Sequence, residues 1–273
     1  GFGLIDAIPD ADIIFWANNP APGITGKVHM VELLESPGTM KVGRFGWKNQ
    51  VATVLSFSGD AFNNEMGMTN RMLPNEQAPN GDLAKLALCD TVADPEDGPD
   101  AFGFEGVDRM TDFQRFLAAP PQTPKSGMTG EAIFNNIGCA DCHVSSAYTT
   151  SVVAEGALSG QAIKPYSDFL LHNMGSLGDN IVQGAAGLDE FRTSPLWGLY
   201  PRTLLSLLHD GRASGGSPEM NIESAINFHD GEGAASRTAY LALSATDQQH
   251  LANFLLSLGQ VEFDNERDND IAA

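Results

Sequence analysis

Two cysteines and a histidine lie within five consecutive residues, Cys139-Ala140-Asp141-Cys142-His143. The C-x-x-C-H pattern is the attachment signature of a c-type haem. Two intervening residues let one turn of backbone bring both thiols to the haem vinyl groups, and the adjacent histidine then faces the iron as an axial ligand. The pattern therefore predicts one covalent haem c in this chain, held by Cys139, Cys142 and His143.

Zinc binding and redox dithiol chemistry also use a C-x-x-C pair, and both fit this sequence less well. A zinc site needs a second pair of ligands, and Cys89 is the only cysteine outside the motif. A redox dithiol usually follows a strand at the start of a βαβ unit. Cys89 is then left over, either as a buried thiol or as the partner of a cysteine outside this sequence.

The second axial position of the iron needs another side chain, and spacing alone does not select it. His229 ends the helical pattern 222–229, and His250 is expected on the surface of the last helix. The candidates after the motif are four histidines and two methionines: His172, His209, His229, His250, Met174 and Met220.

The elements around the motif are typical of a cytochrome c domain over residues 122–262. Thr129 can cap a short helix that ends near Ile137, and Gly138 allows a close approach of the chain just before the first cysteine. Near the end of the domain, Ser244 begins a capping box. The helix that follows carries an apolar stripe and ends at Gly259. That stripe consists of Leu251, Phe254, Leu255 and Leu258.

Residues 1–121 form a different unit, rich in Gly, Pro and Asn and with weak periodicity. Asp112–Ala118 is interpreted as a helix end, because Pro120-Pro121 breaks the chain after it. The acidic stretch 90–100 predicts a solvated loop, and 263–273 is an acidic tail. The predicted fold class is mainly α, a cytochrome c-like domain beside an irregular, loop-rich N-terminal unit that belongs to a partner cytochrome c-like domain and lacks its own haem motif.

Composition limits the partners of this chain of 273 residues. Its net charge of −20 argues against nucleic acid and anionic lipid as partners. The charge favours either docking of a basic or neutral redox partner protein or an acidic surface suited to a salty medium. The sequence has no apolar run long enough to span a membrane. Covalent haem is attached outside the cytoplasm, so the motif predicts a periplasmic or otherwise extracytoplasmic location.

Ordered sequence words along most of the chain resemble the bacterial di-haem cytochrome c peroxidase superfamily. Within it, the chain is similar to the di-haem oxidoreductase family, also labelled thiol oxidoreductase, and corresponds to the C-terminal portion of its members. The matching words are GFGLIDAIPDADI (1–13), GRFGWK (43–48), NNEMGMTN (63–70), FLAAPP (116–121), IGCADCH (137–143), YSDFLLHNMG (166–175), FRTSPLWGL (191–199), LLHDGRA (207–213) and IESAINFHDGE (222–232).

The resemblance implies two cytochrome c-like domains, each carrying a haem, with the active site at the first. It makes His143 the proximal ligand of the second haem and His229 its distal ligand, with Met174 as the alternative. It also implies that Arg192 and His209 contribute to cofactor binding without ligating the iron, and that a calcium ion lies between the domains, although no D-x-D-x-D-G loop is present.

The resemblance also assigns roles to two residues of the N-terminal unit. Trp47 falls where relatives place an indole between the two haems, as an electron bridge. Glu65 falls where peroxidase relatives carry the acid–base carboxylate over the open haem. Without the resemblance, Trp47 is a core aromatic residue and Glu65 a surface carboxylate.

The chain departs from the family pattern because it has one C-x-x-C-H motif, whereas the family has two. The missing motif is expected upstream of residue 1, in a longer protein or a separate polypeptide, or else the chain is a mono-haem descendant. Three functions follow. The chain is the electron-transfer part of a di-haem oxidoreductase, or part of a catalytic di-haem peroxidase, or a cytochrome subunit of a larger redox complex.

Overall fold

The computed structural model describes residues 1–121 and 127–260, so the predicted boundary at 122 and the acidic tail 263–273 lie outside the described residues. The chain is helix-rich, with 39% helix and 13% strand, which agrees with the mainly α prediction. The helices are α1 Phe2–Asp6, α2 Asp10–Asn18, α3 Val54–Asn64, α4 Leu83–Cys89, α5 Gly106–Phe116, α6 Thr129–Asn136, α7 Leu199–Thr203, α8 Pro218–Asn227, α9 Ala234–Leu241 and α10 Ala245–Ser257.

The described strands are short and pair antiparallel, each with one neighbour: β1 with β2, β3 with β4, β5 with β6, and β7 with β8. Such small sheets bury little on their own, so the core is built from helices together with side chains of the connecting loops and strands. The strands are β1 Met30–Leu33, β2 Ser36–Val42, β3 Tyr148–Thr149, β4 Ala162–Ile163, β5 Leu171–Asn173, β6 Glu190–Arg192, β7 Ser206–Leu207 and β8 Ala213–Ser214.

Apolar side chains form two buried clusters. One joins α6, α8 and α10 with Tyr166 and Leu199. The other joins the N-terminal helices and β2 with Tyr148, Phe169 and Trp197 from the middle of the chain. Residues that follow the C-x-x-C-H motif therefore pack against both halves of the sequence.

The helix before the motif, α6, packs closely against the last helix, α10. A side chain on Gly130 would place its Cβ 2.1 Å from the backbone oxygen of His250, so this contact requires glycine. The rings of Phe134 and Phe254 lie 5.3 Å apart between centroids, and the ring of Tyr166 lies 6.0 Å from that of Phe254. This packing fixes the direction in which the chain leaves α6 and enters the motif.

The ends of these two helices agree largely with the sequence patterns. Ser244 caps α10, since its Oγ accepts a hydrogen bond from the N–H of Asp247 at 3.1 Å. Gly259 follows the helix in the left-handed region, with φ of +94°. At α6 the predicted cap is wrong, because Met128 is the N-cap residue and Thr129 is the first residue of the helix.

Two further expectations concern the N-terminal unit. The stretch 90–100 is a largely exposed loop, as predicted, except at Asp97, which is buried and whose carboxylate accepts hydrogen bonds from the N–H groups of Gly106 and Val107 at the start of α5. Cys89 is exposed at the end of α4, so the buried alternative for this thiol is wrong. Within the described ranges, none of the helices has the length and apolarity needed to cross a bilayer.

Candidate haem site

The C-x-x-C-H motif lies at a cavity of about 210 Å³ between α6, α8 and the loops around β6 and β7. Cys139, Cys142 and His143 all contribute to its wall, and so does His229. The fold therefore brings together the motif and the histidine that lies 86 positions further along the chain.

The two thiols are presented by a short 3₁₀ turn, Cys139–Asp141, that begins at Gly138. Gly138 has φ of +83°, and a Cβ there would lie 3.0 Å from the Asp141 carboxylate, so this position favours glycine. Burial raises the pKa of Cys139 to about 12 and also raises that of Cys142. A redox dithiol instead depends on a lowered thiol pKa, so these two thiols are unsuited to that chemistry.

His143 is held in a single tautomer by the backbone. Its Nδ1 donates a hydrogen bond to the carbonyl oxygen of Tyr166 at 3.1 Å, which places the lone pair on Nε2. Desolvation, together with repulsion from the nearby His229, lowers the pKa of His143 to about 4. The imidazole is therefore neutral at physiological pH, which is the form that binds iron.

His229 has the same arrangement two residues after the end of α8. Its Nδ1 donates to the carbonyl oxygen of Ala225 at 2.8 Å, and desolvation lowers its pKa. Gly233 lies against the ring, and a Cβ at this position would lie only 3.1 Å from the His229 side chain. Two neutral imidazoles, each oriented by a hydrogen bond from Nδ1, are typical of metal-ligating histidines.

The remaining ligand candidates differ in their surroundings. His172 lines the cavity, but its Nδ1 and Nε2 contact the carboxylates of Glu232 and Asp168 at 2.9 and 2.8 Å. Desolvation opposes its charge, yet these hydrogen bonds raise the pKa of His172 to about 12, so the ring has no lone pair for iron. Met174 lines the cavity, whereas Met220 is 60% exposed and lies outside the lining.

His209 and Trp47 line the cavity and form an aromatic cluster with Phe191. The His209 ring stacks on Phe191 with centroids 4.2 Å apart and meets the Trp47 indole edge-on at 6.2 Å. Trp47 is 39% exposed, so the core alternative for this residue is wrong. Glu65 is exposed at the end of α3 and is outside the cavity lining.

Two arginines, Arg192 and Arg202, add positive charge to the cavity wall. The Arg192 guanidinium is oriented by a hydrogen bond from its Nε to the carbonyl oxygen of Gly46 at 2.9 Å, and the backbone N–H of Arg192 donates to the carbonyl oxygen of Trp47 at 2.8 Å. Desolvation lowers the pKa of Arg192 to about 10, with repulsion from Arg202 adding to the effect. In the described part of the chain neither guanidinium has a carboxylate within ion-pair distance.

A haem carries two propionate carboxylates, and these guanidinium groups are suitable partners for them. The sequence patterns indicate Arg192 but not Arg202, which lies three residues beyond the FRTSPLWGL word and belongs to no motif. Two thiols, two neutral imidazoles and two cations in one cavity match the chemistry of a c-type haem. The donor set therefore fits this group.

The chain is helix-rich, and the residues of its cavity are suited to holding a haem. The chain belongs to the di-haem oxidoreductase family, because the family model described as “Di-haem oxidoreductase, putative peroxidase” matches residues 1–258. This confirms the family that the ordered sequence words predict and gives the chain a haem-based redox role. No curated protein and no solved structure matches the chain.

Proposed function

We propose that this chain is the electron-transfer part of an extracytoplasmic di-haem oxidoreductase. Cys139 and Cys142 would hold one haem c through thioether bonds, and His143 and His229 would be the two ligands of its iron. The observation that carries the proposal is the pair of neutral, backbone-oriented imidazoles in the wall of one cavity.

One-electron chemistry at this site comes from the iron of the bound haem. With the haem bound, His143 and His229 would both ligate its iron and would leave no free position there for peroxide or another exogenous ligand. Arg192 and Arg202 offset the propionate charge, while Trp47 supplies an aromatic group at the solvent-exposed edge. This combination suits electron transfer without substrate binding.

A partner haem unit is supported by an exposed apolar face on α5. Helix α10 carries a buried stripe that packs on α6, the helix before the haem motif, and α5 has apolar residues at the same spacing. The exposed residues are Phe113 and Phe116 of α5 and Leu117 directly after it, with 62%, 52% and 43% exposure; the α10 residues are Leu251, Phe254 and Leu255, with 0%, 0% and 6%. We propose that the α5 stripe receives the helix that precedes a second haem-attachment motif.

The haem-to-chain ratio tests the electron-transfer proposal and the docking face together. Protein purified from its native source should contain two haems for each copy of this chain, measured as pyridine haemochrome, with one of them covalent to the chain by mass spectrometry. For a partner haem unit on a separate polypeptide, Phe116→Asp should reduce the ratio to one, whereas Phe102→Asp, at an exposed position off the stripe, should leave it at two. An unchanged ratio in Phe116→Asp then contradicts the docking face, and a chain without covalent haem contradicts the proposal itself.

A second candidate function is a catalytic di-haem peroxidase, which the family description favours. In that case the partner haem is the site of peroxide reduction, and Glu65 of this chain acts there as acid–base carboxylate. The two-haem assembly should then consume peroxide with a reduced donor, and Glu65→Gln should abolish turnover while leaving the haem ratio unchanged. Turnover that survives Glu65→Gln excludes this role for Glu65.

A further inference from the structure

The loop after His229 is attached to the rest of the protein by an unusually dense set of contacts. Asp230 accepts a hydrogen bond from the N–H of Ser176 at 3.1 Å and lies 3.5 Å from Arg237. Gly231 has φ of +56°, and a Cβ there would lie 2.4 Å from the backbone oxygen of Asn173. The loop therefore sits directly on the end of β5 with no room for a side chain at Gly231.

Glu232 is the central contact of this loop. Its carboxylate accepts hydrogen bonds from the N–H and Oγ1 of Thr25, at 2.8 and 2.9 Å, and from the N–H of Asn173 at 3.2 Å. It also contacts Nδ1 of His172 at 2.9 Å. A single carboxylate thus joins the loop of His229 to the N-terminal segment and to β5.

His172 extends this connection to the other side of the cavity. Its Nε2 contacts Asp168 at 2.8 Å, and its Nδ1 lies 3.8 Å from Sγ of Cys142. The backbone N–H of Asp168 in turn donates to the carbonyl oxygen of Cys142 at 3.0 Å. His172 and Asp168 are each only 2% exposed, so this chain of contacts is shielded from water.

Gly26 makes the arrangement possible on the N-terminal side. A Cβ at Gly26 would lie 2.5 Å from Cε1 of His172, so the backbone covers the imidazole directly. The network Glu232–His172–Asp168 therefore runs from the loop of His229 to the haem-attachment segment through buried, charge-assisted hydrogen bonds, which are the stronger kind.

We propose that Glu232, acting through His172 and Asp168, is a positioning residue that holds His229 at a fixed distance from the haem-attachment segment and keeps the iron six-coordinate. This inference rests on the proposed function, in which His229 is the distal ligand. The network restrains the loop that carries His229, so His229 should dissociate from the iron less often. An exogenous ligand can reach the iron only when His229 has dissociated.

Cyanide binding to the ferric holoprotein tests the proposal, followed by optical spectroscopy well below the unfolding temperature. Glu232→Gln replaces an acceptor oxygen with an amide nitrogen that faces donors, and loss of a charge-assisted hydrogen bond should raise the cyanide binding rate about tenfold or more. Glu223→Gln is the matched control, since Glu223 is exposed on α8 and should leave the rate unchanged. Thr25→Val removes one hydrogen bond with little change in shape and should produce a smaller increase.

The outcomes separate this inference from the proposed function. A raised cyanide rate in Glu232→Gln and Thr25→Val, with the wild type low-spin, supports the positioning role. A lower unfolding temperature with an unchanged cyanide rate overturns it, because that is the effect of a merely structural residue. A wild-type protein that is high-spin at neutral pH overturns the bis-histidine assignment itself. If Glu232→Gln attaches no haem, the Thr25→Val rate decides between the first two outcomes.

Discussion

Phe254 is the residue through which α10 holds the helix that precedes the haem motif, and its removal should be costly. The side chain is fully buried, and its ring lies 5.3 Å from that of Phe134 and 6.0 Å from that of Tyr166. Burial of a phenylalanine side chain contributes about 1.5–3 kcal/mol, and each aromatic contact adds about 0.5–1.5 kcal/mol. Phe254→Ala should therefore lower the free energy of unfolding by about 3–5 kcal/mol, the range usual for this substitution in a core.

The assay is urea denaturation of the isolated holoprotein, followed by far-ultraviolet circular dichroism, with the slope against urea checked for constancy. Phe116 provides the matched control, because it occupies the corresponding position of the α5 stripe and is 52% exposed. Phe116→Ala should change the free energy of unfolding by less than about 0.5 kcal/mol. The reasoning is refuted if the two substitutions cost the same, or if Phe254→Ala costs less than about 1 kcal/mol.

Three further predictions concern the helix contact, the haem and pH. Gly130→Ala should destabilise the protein by about 1–3 kcal/mol in urea denaturation, because its Cβ would overlap the backbone oxygen of His250; an unchanged midpoint would contradict the α6–α10 contact. Arg192→Met should lower the haem midpoint potential by tens of millivolts, on the order expected for loss of one nearby cation, and a raised potential in redox titration would be the wrong sign. The stability difference between wild type and His172→Gln should be greatest between pH 4.5 and 6.5. Because the pKa of His172 is raised to about 12, the contribution of the His172–Glu232 contact to folding stability declines as pH rises above 6.5. Because the pKa of Glu232 is lowered to about 2, the same contribution declines as pH falls below 4.5. A stability difference that grows with pH above 6.5 would contradict the charged network.

Local patterns predict the elements around the motif well. The N-cap at Ser244, the apolar stripe of α10 and the glycine at 138 each depend on residues close in sequence, and the structure has all three. The predicted capping box is only half formed, because Ser244 accepts from the N–H of Asp247 but the Asp247 side chain bonds the Ser244 hydroxyl and not its backbone N–H. The predicted cap of α6 is wrong by one residue, because Thr129 is already the first residue of the helix. The N-cap residue is Met128, whose side chain makes no capping hydrogen bond and so cannot be recognised in the sequence. Helix ends are the least well determined feature of such patterns.

The site depends on contacts between distant parts of the chain, which local patterns do not contain. Spacing leaves six candidates open for the second axial position, and the resemblance to the family selects His229. The charge on His172 arises from Asp168 and from Glu232, which lies 60 positions away, so only the fold removes it from the candidates. Asp97, whose backbone N–H donates to the carbonyl oxygen of Thr69 28 positions away, and Arg202 at the cavity also depend on contacts made by the fold.

The central claim is that His143 and His229 ligate the same haem iron. Electron paramagnetic resonance of the ferric protein at neutral pH tests it most directly, with wild type compared with His229→Ala and His209→Ala. The account predicts a low-spin signal in the wild type and in His209→Ala, and conversion to a high-spin signal in His229→Ala that added imidazole reverses. A low-spin signal that persists in His229→Ala would contradict the claim and make Met174 the next ligand to substitute.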